Sequence, residues 1–473
     1  MKALNNLSLI SIPINESLTQ YAGKVYLCGG AVRDYIMDPN IIPKDYDLVV
    51  DMEDGGIKFA EDICKFYGVY KENSNPVTYN KFKTAKFVIH GIEFESVCPR
   101  KESYDSNNRK PSVEKSTLYE DAIRRDLTIN ALYYNLTTNE IIDFVGGVND
   151  IKNKILKTPL DPFTTFTDDP LRMLRAFRFN ARFNDYVLDD NILDAVRSCE
   201  PRISIVSKER VQDELIKILS VTDSVHLAKI LSIMMECGLF NNIIPELVSL
   251  KNMPQGIVHT HRNVWEHTLN AIKNTKKDPI LRLAVLLHDV GKISTMKYID
   301  KDNIKYPNHH IEGESIVKER LKDLKFTNKQ IKLIANAVKM HMSFNTIYFK
   351  YNNFNSSIQR VKNDTILVKN EILDEVIDLD FCFDVFKCDV MSLDDDKRLI
   401  KDSDLDIAYK ILYRIKSLDN LIKQNKDYLT GDDIIDFFKV SDYSKIPLYL
   451  KTYNNDILIN YPEKHRLYFV KPA

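Results

Sequence analysis

No run in the 473 residues approaches the roughly 18 uninterrupted apolar side chains that a membrane-spanning helix requires, so a helical membrane protein is not expected. The first sixteen residues have neither the basic flank nor the clean apolar core of a secretory signal, and a cytoplasmic location is the expectation. The seven cysteines include no Cys-x-x-Cys pair, which argues against a disulfide frame or zinc knuckle and for reduced, structural thiols. Cys28, beside the first glycine pair, is expected to be buried rather than nucleophilic. An excess of one charge is also absent, with 66 Lys plus Arg against 67 Asp plus Glu. Binding to nucleic acid therefore requires segregated charge, with a basic face along the substrate path and acidic surface elsewhere. Neither an internal repeat nor a long low-complexity linker is present.

What the chain does have is apolar material, 44% of its residues, enough for two to four domains. Two textures divide it. Up to about residue 150, short β-rich runs such as Val25-Tyr-Leu-Cys and Asp47-Leu-Val-Val alternate with helical stretches and frequent turns, an α+β pattern. From about Asp169 onward, apolar residues recur at three- and four-residue spacing, as in Val211-Gln-Asp-Glu-Leu-Ile-Lys-Ile-Leu and Leu281-Arg-Leu-Ala-Val-Leu-Leu, and the rest reads as almost entirely helical. Asn-rich Tyr351-Asn-Asn-Phe-Asn-Ser-Ser reads as surface loop.

Gly29-Gly30-Ala-Val-Arg33-Asp34 follows an apolar run and precedes Asp45-Tyr-Asp47. A strand that ends in two glycines can turn tightly and bring backbone N–H groups against phosphate oxygens, with a helix N-terminus behind them. Two aspartates separated by one residue on a strand share a face and can hold Mg²⁺; two such ions would activate a 3′-hydroxyl and neutralise a leaving pyrophosphate. Each piece alone is a common structural device, and their conjunction at this spacing is the signal.

These strings, Cys-Gly-Gly-Ala-Val-Arg-Asp and Lys-Asp-Tyr-Asp-Leu-Val-Val, resemble the signature of class II nucleotidyltransferases, the bacterial-type tRNA CCA-adding enzymes and poly(A) polymerases of the DNA polymerase beta superfamily. The resemblance implies Asp45 and Asp47 as the carboxylates that bind two Mg²⁺ ions. It also implies a third acid on a neighbouring strand: Gly91-Ile-Glu93-Phe-Glu95 before Arg100-Lys-Glu-Ser-Tyr favours Glu95, with Glu93 on the same strand face as the alternate. Arg124-Arg125-Asp126-Leu-Thr-Ile-Asn130-Ala-Leu is similar to the family's ribose and triphosphate motif. Arg125 and Asp126 would then contact sugar and phosphates, Asn130 would order the site, and Asp126 would face the 2′-hydroxyl. Taken without the family, the same string is a helix starting near Asp126 with its arginines on surface acids. Gly146-Gly147, after Asp143, looks like the family's hinge between head and neck. Where the family usually has Phe-Gly-Thr-Ala, this chain has Phe82-Lys83-Thr84-Ala85.

Thr167-Asp168-Asp169-Pro170-Leu-Arg172-Met-Leu-Arg175-Ala-Phe-Arg178 sets four arginines, with Arg182, within an arc of roughly 120° on a helix, opposite Met173, Leu174 and Phe177. Such a stripe faces phosphate or acid. The segment resembles the family's amino-acid template, with Asp168 where Glu is usual. There an aspartate and an arginine, here Asp169 and Arg172, read the incoming base. A carboxylate accepts from the amino group of cytosine or adenine and a guanidinium donates to the ring acceptors, whereas uracil and guanine offer the carboxylate a carbonyl. Ile205-Val-Ser207-Lys-Glu-Arg-Val-Gln-Asp-Glu214-Leu is similar to the last motif of head and neck and predicts a helix capped by Ser207.

In the helical half, His267, Leu-Leu-His288-Asp289-Val-Gly-Lys292, His309-His310, His341 and Asp389 follow the ligand order of HD-type phosphohydrolases. Imidazoles and carboxylates on helices suit a divalent transition metal such as Mn²⁺ or Ni²⁺, able to generate hydroxide for phosphoester cleavage. The expected organisation is a nucleotidyltransferase head with a small mixed sheet at 1–150, a helical neck with the base-selecting motif at 151–250, an HD domain at 251–400 and an RNA-binding tail at 401–473 containing Leu429-Thr-Gly431. The resemblance implies CCA addition to tRNA from CTP and ATP, with no membrane and no obligate protein partner. Poly(A) synthesis, or addition of CC or A alone, is the sibling reading, and a metal phosphohydrolase with a regulatory nucleotide-binding head is the more distant one.

Overall fold

The computed structural model describes residues 17–43, 45–72, 74–80, 83–105, 108–255, 263–299, 304–344, 376–393, 400, 405 and 409. The first sixteen residues, Phe82, the loop expected around Tyr351 and the tail motif at Leu429 lie outside the described residues. The chain forms two compact units, Met1–Pro245 and Glu246–Ala473.

The first unit opens with β1 (Val25–Cys28), α1 (Gly30–Met37), β2 (Asp45–Val50), α2 (Gly55–Phe66), β3 (Val77–Tyr79), β4 (Thr84–Ile89), β5 (Ile92–Val97), β6 (Arg100–Asp105), β7 (Asn108–Lys115), α3 (Leu118–Ile123), β8 (Leu132–Asn135) and β9 (Ile141–Asp143). Seven of these strands make one mixed sheet in the order β3-β4-β5-β2-β1-β8-β9. The β2–β5 pair is parallel, and the other pairs are antiparallel. Alternation decides what each face carries. On one face, Tyr26, Cys28, Val49, Ala131 and Tyr133 pack against Leu118 and Ala122 of α3. The same face continues past the end of this cluster into Asp47 and Glu95, where it meets solvent.

The helical part of this unit contains α4 (Gly147–Asn153), β10 (Ile155–Leu156), α5 (Pro162–Asp168), α6 (Leu171–Arg182), β11 (Val187–Leu188), α7 (Asp190–Cys199), α8 (Lys208–Leu219), α9 (Ser224–Glu236), α10 (Phe240–Ile243) and, at the unit boundary, α11 (Pro245–Leu250). The short parallel ladder of β10 and β11 interrupts the expected all-helical texture. Met173, Leu174 and Phe177 of α6 are fully buried, as the apolar stripe predicts. Ser207 stands at the N-cap of α8, but its side chain makes no capping hydrogen bond.

Gly146-Gly147 is tightly built. Asp143 accepts hydrogen bonds from the N–H groups of Val145, Gly146, Gly147 and Val148, which ties the end of β9 to the start of α4. A Cβ on Gly147 would lie 2.3 Å from the Thr128 carbonyl oxygen, so glycine here serves close approach between α4 and the turn that carries Asn130. Gly147→Ala is expected to destabilise the unit by about 2–3 kcal/mol, the scale of an overpacked contact against backbone. Denaturation followed by circular dichroism measures it, and an unchanged midpoint would contradict the close-approach role.

The second unit contains α12 (Val264–Lys273), α13 (Pro279–Leu287), α14 (Lys292–Thr295), the hairpin β12 (Lys297–Tyr298) and β13 (Ile304–Lys305), α15 (His309–Asp323), α16 (Asn328–Met340) and α17 (Leu379–Met391). Leu281 to Leu287 of α13 are all buried, and α12, α16 and α17 pack around this helix. Among the described residues no helix is long and apolar enough to cross a membrane. All seven cysteines are free and buried, and burial pushes the Cys28 thiol up to about 12, too high for a nucleophile at neutral pH.

Candidate active sites

The first site lies where β1 gives way to α1. Gly29 caps α1 with φ +68°, in the left-handed region that an L side chain enters only with strain. A Cβ there would sit 3.5 Å from Arg125 Nη1 and 3.7 Å from Asp47 Oδ2, so turn, guanidinium and carboxylate are immediate neighbours. Asp45 and Asp47 share one face of β2, while Tyr46 and Leu48 between and beyond them are buried. The parallel ladder sets Glu93 opposite Asp45 and Glu95 opposite Asp47. Lys86 Nζ lies 3.0 Å from Glu95 Oε2.

Electrostatics follow from this crowding. Asp47 keeps solvent exposure, yet the protein around its carboxyl pushes the pKa up; Arg125 opposes the shift, and Glu95 and Asp45 add to it. Carboxylates gathered on an open sheet face are hard oxygen donors at high charge density, and the set fits Mg²⁺.

Arg125 is not a free surface cation. Its Nε and Nη2 donate to Asp121 Oδ2 at 3.2 and 3.0 Å, Nη1 donates to the Asn130 carbonyl at 3.3 Å, and Nη2 contacts Cys28 Sγ at 3.4 Å. Arg124 donates to the other oxygen of Asp121. The helix expected to start near Asp126 is not formed. Instead α3 ends at Ile123, and a single 3-10 turn spans Thr128–Asn130, because α3 carries its own start signal in a Thr117–Glu120 capping box.

Asp126, Asn130, Arg33 and Arg175 form one buried network. Asp126 Oδ1 accepts from Leu127 N and Asn130 Nδ2, and Oδ2 accepts from Arg175 Nε at 2.7 Å. Asn130 Oδ1 accepts from Arg33 Nη1 at 2.5 Å. The Arg33 guanidinium also pairs with Asp34 and lies 5.1 and 5.3 Å from the ring centroids of Phe179 and Phe183. Burial would raise the Asp126 pKa, but Arg175 and these hydrogen bonds hold it well below the usual carboxylate range. Asp126 therefore fastens α6 to the 3-10 turn, and a sugar hydroxyl would be an added partner on oxygens already engaged.

The basic stripe of α6 faces acid. Arg175 meets Asp126, Arg178 meets Glu214 of α8 at 3.1 Å, and Arg182 meets Asp34 of α1 at 3.0 Å. Arg172 is buried. Asp169 closes α5, accepts from Leu171 N through its side chain, and through its carbonyl from Arg172 N, so the two template candidates sit across one helix start. Lys83, at the family's glycine position, adopts φ +50° and pairs with Asp54 at 3.0 Å. Asp121 carries no motif of its own, and its i, i+3 and i, i+4 spacing to Arg124 and Arg125 is the one sequence signal for this cluster.

In the second unit, the six expected ligands converge. His267 Nε2 lies 2.9 Å from Asp389 Oδ1 and 3.3 Å from His288 Nε2. His309 Nε2 lies 3.3 Å from Asp289 Oδ1 and 3.2 Å from His341 Nε2. Two ligand groups result, His267-His288-Asp389 and Asp289-His309-His341. Asp289 stands between them: its Oδ2 is 3.3 Å from His288 Nε2 and its Oδ1 faces His309. His310 is left outside both groups.

The outer nitrogen of each imidazole is engaged. Nδ1 of His288, His309 and His341 lies 2.7, 2.9 and 2.6 Å from the carbonyls of Val285, Tyr306 and Val338, and Nδ1 of His267 meets Ser392 Oγ at 2.8 Å. Three rings thus donate Nδ1–H to backbone and aim Nε2 at one another and at the two carboxylates, the orientation in which a cation would replace protons. Burial alone would lower the His288 pKa, but Asp289 and Asp389 raise it to about 10. Burial and the neighbouring imidazoles hold His341 down at about 3. Lys292 Nζ completes the surroundings, donating to Asp289 Oδ2 at 2.6 Å and to Gln255 Oε1 at 3.0 Å. The donor set fits divalent transition metals.

Comparison with known proteins places three families along the chain. Residues 25–157 match the poly A polymerase head domain, residues 185–250 the probable RNA and SrmB-binding site of polymerase A, and residues 262–404 the HD domain. Nucleotidyltransferase lcsQ of Purpureocillium lilacinum is 35% identical over 213 residues, 41% of this chain and 35% of that protein. The mitochondrial CCA tRNA nucleotidyltransferase of Saccharomyces cerevisiae is 35% identical over 210 residues, 41% of this chain and 38% of that protein. The chain thus spans little more than a third of the length of these relatives. Among solved structures, the CCA-adding enzyme of Thermotoga maritima complexed with tRNA shares the fold, with a TM-score of 0.57 at 20% identity over 88% of this chain and 86% of that one.

Proposed function

We propose, on the premise that this chain belongs to the tRNA nucleotidyltransferase and poly A polymerase family and carries an HD domain, that it adds C, C and A to the 3′ end of tRNA from CTP and ATP. One observation carries the reading: Asp45 and Asp47 share an open sheet face with Glu95 in register, directly beside the left-handed turn at Gly29. In the reaction, the tRNA 3′-oxygen attacks the α-phosphorus, the bond from that phosphorus to the bridging oxygen of the β-phosphate breaks, and pyrophosphate leaves. Two Mg²⁺ ions held by Asp45, Asp47 and Glu95 would supply charge neutralisation and a more acidic 3′-hydroxyl. The Gly30 amide, at the first turn of α1, and Arg125 receive the triphosphate, and Arg33, Asp126, Asn130, Arg175 and Arg178 hold α6 in place behind it. Asp169 and Arg172 select the base by their complementary acceptor and donors. The division into head 1–150, neck 151–250, HD domain 251–400 and RNA-binding tail 401–473 belongs to this proposal, as does a cytoplasmic location; the yeast relative's mitochondrial name makes cell fractionation the check on the latter.

Transfer of labelled CTP and ATP to tRNA lacking CCA, ending in C and ending in CC tests the reading. Sequential addition of three nucleotides is expected; repeated uptake of ATP alone would make the protein a poly(A) polymerase. Arg172→Ala is expected to reduce discrimination of CTP over UTP by about tenfold, the worth of one buried donor pair. The ratio of kcat/KM values reads it, and unchanged selectivity would remove Arg172 from base recognition.

A second activity is favoured by the six converging ligands of the second unit. Hydrolysis of a phosphoester such as a 2′,3′-cyclic nucleotide with Mn²⁺ or Ni²⁺, lost in His288→Ala, is the expected result. Transfer without hydrolysis would leave the HD ligands without this role.

A further inference from the structure

Asp121 is a fully buried carboxylate that belongs to neither the paired acids nor the base-selecting segment. It projects from α3, the helix that covers the apolar part of the sheet face carrying Asp47. Its two oxygens are divided between two adjacent arginines. Oδ1 takes Arg124, and Oδ2 takes Arg125 through Nε and Nη2 together with the Tyr133 hydroxyl at 2.7 Å. This division leaves Arg125 one orientation. With Nε and Nη2 engaged on Asp121, Nη1, which also donates to the Asn130 carbonyl, is the guanidinium atom beside Gly29, whose other near side chain is Asp47. A guanidinium is a planar fork whose direction is set by whatever holds one of its edges. Tyr133 holds that anchor in turn: it sits on β8 opposite Cys28, which pairs with Asp47, so the support is in register with the acids. Burial would raise the Asp121 pKa, and the Arg125 and Arg124 guanidiniums reverse this and hold it ionised.

We infer that Asp121 is a positioning residue that aims Arg125 at the triphosphate of the incoming nucleotide, with Tyr133 as its brace. This rests on nucleotidyl transfer at the Gly29 turn. Acting through Arg125, Asp121 governs nucleotide binding and leaves the attacking 3′-hydroxyl and its carboxylates untouched, so its removal appears in KM rather than in kcat.

The test compares Asp121→Asn, Tyr133→Phe, Arg125→Lys and the double variant Asp121→Asn with Arg125→Lys. Full-length protein is used, with steady-state CTP addition to tRNA and equilibrium binding of CTP as readouts. Asp121→Asn is expected to raise KM and the dissociation constant for CTP about tenfold, with kcat changed less than about threefold. Tyr133→Phe, which keeps every charge, is expected to raise KM about two- to threefold with a melting temperature lowered by a few degrees and the fold retained. In the double variant the losses should not add: KM should match that of Arg125→Lys alone, because the anchor has lost the group it aims. Additive losses, or wild-type KM in both Asp121→Asn and Tyr133→Phe, would overturn the inference. Should Asp121→Asn fail to fold, Tyr133→Phe decides: raised KM supports the positioning role, and wild-type KM refutes it. Absence of nucleotide transfer by the wild-type chain would be a failure of the proposed function instead, visible before any variant is made.

Discussion

Asp47→Ala is expected to lower nucleotide incorporation at least about a thousandfold, close to 4 kcal/mol of transition-state stabilisation, while tRNA binding stays near the wild-type level. Of the two aspartates, Asp47 is the one beside the Gly29 turn and in register with Glu95, so its loss removes an oxygen donor where charge would develop on the triphosphate. The same variant should not lose stability. Crowding by protein and by Glu95 and Asp45 raises the Asp47 pKa in the fold, and a carboxyl with a raised folded pKa binds protons more tightly when folded. Such a group opposes folding once pH exceeds its pKa, so at neutral pH its removal leaves the melting temperature unchanged or slightly higher. Single-turnover transfer, a tRNA binding isotherm and a thermal melt together check this. Activity within tenfold of wild type would end the assignment of Asp47 as a metal carboxylate, and a large drop in melting temperature would make the loss structural.

Asp289→Ala is expected to abolish tight metal binding in both halves of the second site. Its two oxygens face the two ligand groups separately. Metal affinity should fall at least about a hundredfold, since loss even of a supporting partner costs ten- to a hundredfold. His341→Ala, which touches one group, should weaken metal binding less. Lys292 makes the Asp289 variant costly as well: its ammonium, buried and 2.6 Å from Asp289, would keep Gln255 and the Tyr306 ring but no counter-charge, so about 3 kcal/mol of stability should be lost. Elemental analysis of protein dialysed against Mn²⁺ reads the stoichiometry, and chemical denaturation reads the stability. Wild-type metal content in Asp289→Ala would refute the bridging position.

Much of both candidate sites is legible in the sequence. Gly29, Asp45 and Asp47 lie within nineteen consecutive residues, and strand alternation alone predicts that the two acids share a face. Glu95 could only be ranked ahead of Glu93; the parallel β2–β5 register now sets it opposite Asp47, a pairing that strand pattern cannot reveal. The arginines of α6 were correctly set on one arc, but the arc was consistent with phosphate or acid. Packing against α1, α8 and the 3-10 turn pairs three of them, Arg182, Arg178 and Arg175, with Asp34, Glu214 and Asp126. Asp126 itself was expected to meet a sugar and is engaged by Arg175, because a helix 45 residues further along the chain folds back onto it.

By itself, the sequence determined the two textures of the chain, the shared face of Asp45 and Asp47 and the single arc of arginines, since each depends on local periodicity, while its resemblance to HD phosphohydrolases named the six candidate ligands. Only the tertiary structure decided which charges meet: Asp121 under Arg125, Asp126 on Arg175, and Asp289 between two pairs of histidines. The physical reason is range. Backbone geometry repeats within a few residues and can be read along the chain, whereas an ion pair or a ligand group depends on distances of about 3 Å between separate elements, and these are set only when the whole core closes.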